Sequence, residues 1–150
     1  MAAGASSPTK QAVVVPGTEV YIAKLRPMNA AATHHHTVGT AKLVVQGDNL
    51  TITIHVQDAA PNITHWQHFH GFKTGNAAEC ATVAADTNGD GFVDLIETEP
   101  ASGTTLVPFD NMPAARDIAH GTYPKADAER HSKYEKVVSL QASQAAFAKA

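Results

Sequence analysis

Between Thr37 and Val56, apolar and polar side chains alternate on both sides of a Gln46-Gly47-Asp48-Asn49 turn. Leu50, Ile52, Ile54 and Val56 fall on one face at period two, with Thr51, Thr53 and His55 on the other. Successive side chains of a strand point to opposite faces, so the pattern predicts a β-hairpin over Val38 to Val56 with one buried side. A further strand is expected at Glu19 to Leu25, closed by Arg26-Pro27, and a weaker one at Gln11 to Val15, stopped by Pro16-Gly17. Ala59-Ala60-Pro61-Asn62 then interrupts the chain before an extended segment, Ile63 to Phe72. From Lys73 to Tyr123 the texture shifts to Gly, Asn, Asp and Pro, the mark of long irregular loops, which are usually functional or organised by a metal. Order resumes at His131 to Leu140, where Tyr134, Lys136 and Val138 alternate with Glu135, Val137 and Ser139. The Ala-rich stretch Gln141 to Ala150 suits a short C-terminal helix. Several strands with almost no helical periodicity imply an all-β fold, a Greek-key β-sandwich or barrel with long metal-organised loops.

The 150 residues are enough to bury a core without disulfides or a metal. The expected organisation is a disordered tail over residues 1–10 followed by one β-sandwich domain over 11–150. A net charge of -3 with Lys and Arg scattered singly gives no basic face, so nucleic acid is excluded as a partner. No run approaches the roughly 20 apolar residues of a membrane span. Ala2 to Thr9 is small and polar, which fits the start of a mature extracytoplasmic chain, periplasmic or secreted, whose leader has been removed. Cys80 is the one cysteine, either a half-buried thiol, a metal ligand, or half of a disulfide whose partner is missing.

The most informative stretch is Asp86-Thr87-Asn88-Gly89-Asp90-Gly91-Phe92-Val93-Asp94-Leu95-Ile96-Glu97. It fills each position of a calcium-binding loop: side-chain oxygens from Asp86, Asn88 and Asp90, a turn at Gly91, the carbonyl of Phe92, Asp94 directly or through water, and Glu97 bidentate. A hard divalent cation takes six to eight oxygens at about 2.3–2.6 Å, and carboxylates this close in sequence repel one another without it. A short entering helix is expected over Ala77 to Ala85, while Pro100 and Ala101-Ser102-Gly103 leave little room for a long exiting one. An isolated loop of this kind lacks the moving helix of a calcium sensor, so a structural clip is expected.

Upstream lies His65-Trp66-Gln67-His68-Phe69-His70-Gly71-Phe72. Residues two apart on a strand share a face, so His68 and His70 point together and Phe69 points away. Imidazole pairs suit copper or zinc, with further ligands available from His65, His55, His120 or His131. The alternative is that the paired rings bond a backbone carbonyl or a carboxylate. His34-His35-His36 reads as an exposed polar turn, and Trp66 and Phe72 as packing or rim residues with a possible share in ligand binding. No Ser or Cys lies in a nucleophile elbow, and no glycine-rich phosphate loop is present.

With Gly39-Thr40-Ala41, Gly47-Asp48-Asn49-Leu50-Thr51-Ile52-Thr53-Ile54, His65-Trp66-Gln67-His68-Phe69-His70-Gly71, Cys80 and Asp86 to Gly91 in this order, the chain resembles bacterial chordin-type (CHRD) domain proteins from about Val38 to Leu140. The resemblance implies a Greek-key β-sandwich like that of copper/zinc superoxide dismutase, with His68 and His70 in the place of copper ligands. The chain departs from the dismutase pattern in lacking its metal-bridging histidine loop, its zinc aspartate and its guiding arginine. The resemblance also implies that relatives continue into another strand and a second cysteine, making this a shortened form. The expected function is therefore a metal-binding protein with calcium and a copper or zinc site. The rivals are a dismutase-like, copper-dependent redox enzyme and a surface adhesion or interaction module stabilised by calcium alone.

Overall fold

Strand pairing follows the alternating segments closely. The structure, a computed structural model, describes residues 9–10 and 16–142. Five strands form one antiparallel sheet: β1 (Thr9–Lys10), β2 (Thr18–Leu25), β3 (Val38–Gln46), β4 (Asn49–Gln57) and β7 (Ser132–Ser139), in the order β1-β2-β3-β4-β7. The other two, β5 (His68–Gly71) and β6 (Thr104–Pro108), pair antiparallel as a separate two-stranded sheet. The fold is thus mostly antiparallel β-structure with few short helices, α1 (Ala30–Thr33) and α2 (Leu95–Ser102). No helix among the described residues is long and apolar enough to cross a membrane.

Gln46 pairs with Asn49 across Gly47-Asp48, which sets the β3–β4 register and places Leu43 opposite Ile52 and Ala41 opposite Ile54. β7 lies on the other side of β4, with Tyr134 opposite Ile54. This register brings the period-two apolar set to one face. Ile52 is fully buried and clusters with Ile54, Phe109 and Tyr134, and Phe69 of β5 packs against the same group. Phe69 meets Phe109 edge-on at 4.7 Å between centroids, and Phe109 stacks on Tyr134 at 5.7 Å, geometries that aromatic quadrupoles favour. The small sheet therefore covers the β4–β7 side of the large one. Tyr134 donates its hydroxyl proton to the backbone oxygen of Asp110 at 2.9 Å, and burial, with the charge of Asp110, raises its pKa. The turn residue Asp48 fastens the far end of β7 by accepting from the Ser139 hydroxyl and the Gln141 N–H.

Several expectations are corrected. Within the expected tail, Thr9 and Lys10 form a strand that pairs with Ile22 and Tyr21. The strand expected over Gln11 to Val15 lies outside the described residues, as does the expected C-terminal helix from residue 143 onward. Ala77 to Ala85 forms no α-helix: the Thr82 side chain caps a single 3-10 turn at Val83–Ala85, and the Glu79 N–H is taken by the Ala101 carbonyl. Strand geometry in the histidine segment is confined to His68–Gly71, the preceding residues being held by a bridge between Thr64 and Lys125.

Removing the centre of this cluster has a defined cost. Ile52→Ala is expected to lower unfolding free energy by about 2–5 kcal/mol, and Tyr134→Phe by about 1 kcal/mol through loss of one buried hydrogen bond. Urea denaturation followed by circular dichroism measures both; equal, sub-kcal effects would place the core elsewhere.

Candidate metal centres

In the acidic loop, side-chain oxygens turn inward onto backbone N–H groups. Asp86 accepts from Gly89 at 2.8 Å and Gly91 at 2.9 Å, Asn88 from Asp90 at 2.8 Å, and Asp90 from Phe92 at 2.8 Å. Gly89 and Gly91 have φ of +75° and +84°, left-handed values that glycine adopts without the Cβ penalty. Glu97 closes the ring from the far side. One of its oxygens accepts from the N–H groups of Thr87 and Asn88 at 2.8 and 3.2 Å and from the Thr87 hydroxyl, and the other from Asp94 N–H at 3.2 Å. Desolvation pushes the Glu97 carboxyl up, but the N–H groups of Asp94, Asn88 and Thr87 outweigh it and hold the pKa below the usual value. Asp94 completes a capping box by accepting from Glu97 N–H, which starts α2. The exiting helix is eight residues long with Pro100 inside it, short as expected.

The loop is fastened to the rest of the protein through Asn29, which the sequence pattern gave no reason to single out. Asn29 stands at the N-cap of α1, where an Asn side chain ordinarily accepts from the first turn, yet it makes no such bond. Its carboxamide instead donates to the Val93 carbonyl at 3.0 Å and accepts the Val93 N–H at 2.9 Å. This reciprocal pair satisfies both backbone groups of a buried residue in mid-loop, across 64 positions of sequence.

His68 and His70 share a face, their ring centroids 4.6 Å apart, while Phe69 joins the core. His70 bonds through Nδ1 to the carbonyl of Gly103 at 2.9 Å, an arrangement that fixes the ring and leaves Nε2 as a free acceptor. His68 Nδ1 is buried without a hydrogen-bond partner. Burial, then the neighbouring His70, depress the His68 pKa and favour the neutral ring. Gly103 follows α2 at φ +74° and lies so close over the Gly71 backbone that a Cβ has no room. The helix that leaves the acidic loop thus ends in the carbonyl that orients His70.

The other candidate ligands lie apart. His65 uses Nε2 to bond the Ala60 carbonyl at 2.8 Å. His120 is 81% exposed and bonds Asp117, whose pKa is lowered by that contact. His55 faces outward beside Thr40 and Lys133, on the side of β4 opposite Ile52 and Ile54. His34, His35 and His36 are exposed, as expected for a polar turn. Among the described residues no three His, Cys, Asp or Glu side chains converge as a ready metal cluster, in the loop or at the pair. The donor sets are of the chemical kind expected from the sequence: hard oxygens with hydrogen-bonded backbone support in the loop, and two imidazoles in the strand, one oriented and one with an orphaned buried nitrogen. Cys80 is a free, exposed thiol. In comparisons with known proteins, no family model, no curated protein and no solved structure matches the chain.

Truncating the clamp strands two backbone groups at once. Asn29→Ala is expected to cost about 1–3 kcal/mol, and Asn29→Asp, which keeps the acceptor but lacks the donor, to recover only part of it. Urea unfolding of the variants checks this; changes within about 0.5 kcal/mol would show that the loop is held by other contacts.

Proposed function

We propose that this chain is an extracytoplasmic metal-binding protein whose Asp86–Glu97 loop takes calcium as a structural clip and whose His68–His70 pair takes copper or zinc. The observation that carries the first part is the loop's hydrogen-bond pattern. Asp86, Asn88, Asp90 and Glu97 are already drawn inward by backbone N–H groups. An oxygen that accepts one N–H keeps a second lone pair, so the same side chains, with the Phe92 carbonyl and Asp94, can serve a cation. An unpaired loop with a short exit helix fits the weak end of the calcium range, Kd on the order of 10⁻⁴–10⁻³ M, where extracellular calcium suffices. An affinity in that range would match a calcium-rich location outside the cytoplasm.

The finer architecture belongs to the same proposal. β5 and β6 follow β4 in the separate small sheet, and after the long β6–β7 connection β7 returns to lie beside β4. This connectivity supports a Greek key running over two layers, hence a β-sandwich of the chordin-type kind in one domain. A dismutase-like redox enzyme is the second reading, favoured by the carbonyl-oriented His70 with its free Nε2. An adhesion or interaction module with calcium alone is what remains if the histidine pair holds no metal.

Calorimetry and elemental analysis of chelator-stripped, tag-free protein test the assignment. One calcium per chain is expected, with affinity lowered at least about tenfold by Glu97→Gln. Copper or zinc retention should be lost in both His68→Ala and His70→Ala. Absence of calcium uptake at millimolar concentration would remove the loop site, and unchanged transition-metal content in the histidine variants would remove the other.

A further inference from the structure

A partly open cavity of about 230 Å³, lined by no residue of the acidic loop and by neither His68 nor His70, lies where the ends of β2, β3, β4 and β7 meet the segment before β5. Its apolar wall comes from Leu25, Pro27, Val38, Val56 and Trp66. Three of these, Leu25, Val38 and Trp66, remain exposed, Trp66 at 61%. One face of the Trp66 indole is fixed by stacking on the buried Tyr123, at 5.3 Å and 11° between planes, so the ring is held rigid while its area stays open. A rigid, exposed aromatic wall is an arrangement that core packing does not require.

The polar lining is one-sided. Arg26 sits at the rim, exposed, and no Asp or Glu borders the cavity. Thr37 is already engaged with the Asp58 carbonyl, and His65 with that of Ala60. Ser132, at the start of β7, is 5% exposed, and its hydroxyl has no hydrogen-bond partner. A buried hydroxyl without a partner is uncommon and marks a place where a polar group from outside fits. A permanent cation, an unsatisfied hydroxyl and an apolar slot match a small ligand with an apolar body and an anionic end. The volume agrees: a cavity of about 150 Å³ holds benzene, so this one has room for a ring with a short acidic arm.

We infer that this cavity is a binding site for a small aromatic or branched monocarboxylate, its ring against Trp66 and its carboxylate at Arg26, with Ser132 supplying a further hydrogen bond. Its lining shares no residue with the acidic loop or with the His68–His70 pair. Free carboxylates of this shape differ from peptide C-termini by their small size, which the volume of about 230 Å³ suits.

Trp66 is the one tryptophan in the chain, which makes its emission a direct reporter. Phenylacetate, excited selectively at the indole, should give a saturable change, and uncharged phenylacetamide a much weaker one. Arg26→Met should weaken phenylacetate about three- to tenfold, increasingly so at low salt. Ser132→Ala should also weaken it while leaving the thermal midpoint unchanged or higher, because the lost hydroxyl had no partner to abandon. Melting curves verify that each variant is folded. No saturable response up to about 10 mM, or equal binding of phenylacetate and phenylacetamide unaffected by Arg26→Met, overturns the inference.

Discussion

Glu97 holds both ends of the acidic loop, taking N–H groups of Thr87 and Asn88 at its start and of Asp94 at its end. One carboxylate thereby closes an otherwise irregular stretch and, through the capping box with Asp94, begins α2. The helix runs only to Ser102, and the next residue, Gly103, presents its carbonyl to His70. A chain of direct contacts therefore leads from the loop's closure to the orientation of an imidazole in the small sheet. Loosening the Glu97 side chain removes the half of the capping box that receives the Asp94 N–H and leaves the other half, Asp94 accepting the Glu97 N–H, in place. Asn29 adds the second tie by joining mid-loop Val93 to the β2–β3 connection. The acidic loop is built into the framework at its ends and its middle.

The framework was readable from the sequence where burial imposes a period. Ile52 and Ile54 alternate with Thr51 and Thr53 because one side of β4 faces the core, and the hairpin register followed from the Gly47-Asp48 turn. The His68–His70 pair on one face, with Phe69 turned inward, came from the same rule. The turns of the acidic loop were legible for a different reason: Asp and Asn at fixed steps bond backbone N–H groups two to five residues on, and that geometry is local. What failed to show was non-local. Nothing near Asn29 announces that its carboxamide bypasses α1 for a backbone 64 residues on. The segment Ala77 to Ala85 has helical propensity but gives its hydrogen bonds to a Thr82-capped turn and to Ala101, a tertiary override of a weak local preference.

The histidines show how composition overstates a site. Nine are present, yet His65 and His120 have separate partners and His55 lies on the outward face. At the pair, the His70 ring is oriented through Nδ1 and the His68 ring has its pKa lowered by burial and then by His70. Two ligands of this kind suit an ion that draws its remaining ligands from a small molecule or from a group brought up on binding.

Crystals grown with calcium, with anomalous diffraction collected at long wavelength, test the central claim most directly. The account predicts one peak inside the Asp86–Glu97 loop, at about 2.3–2.6 Å from oxygens of Asp86, Asn88, Asp90, Phe92 and Glu97. A loop with the same internal hydrogen bonds and no peak would contradict it.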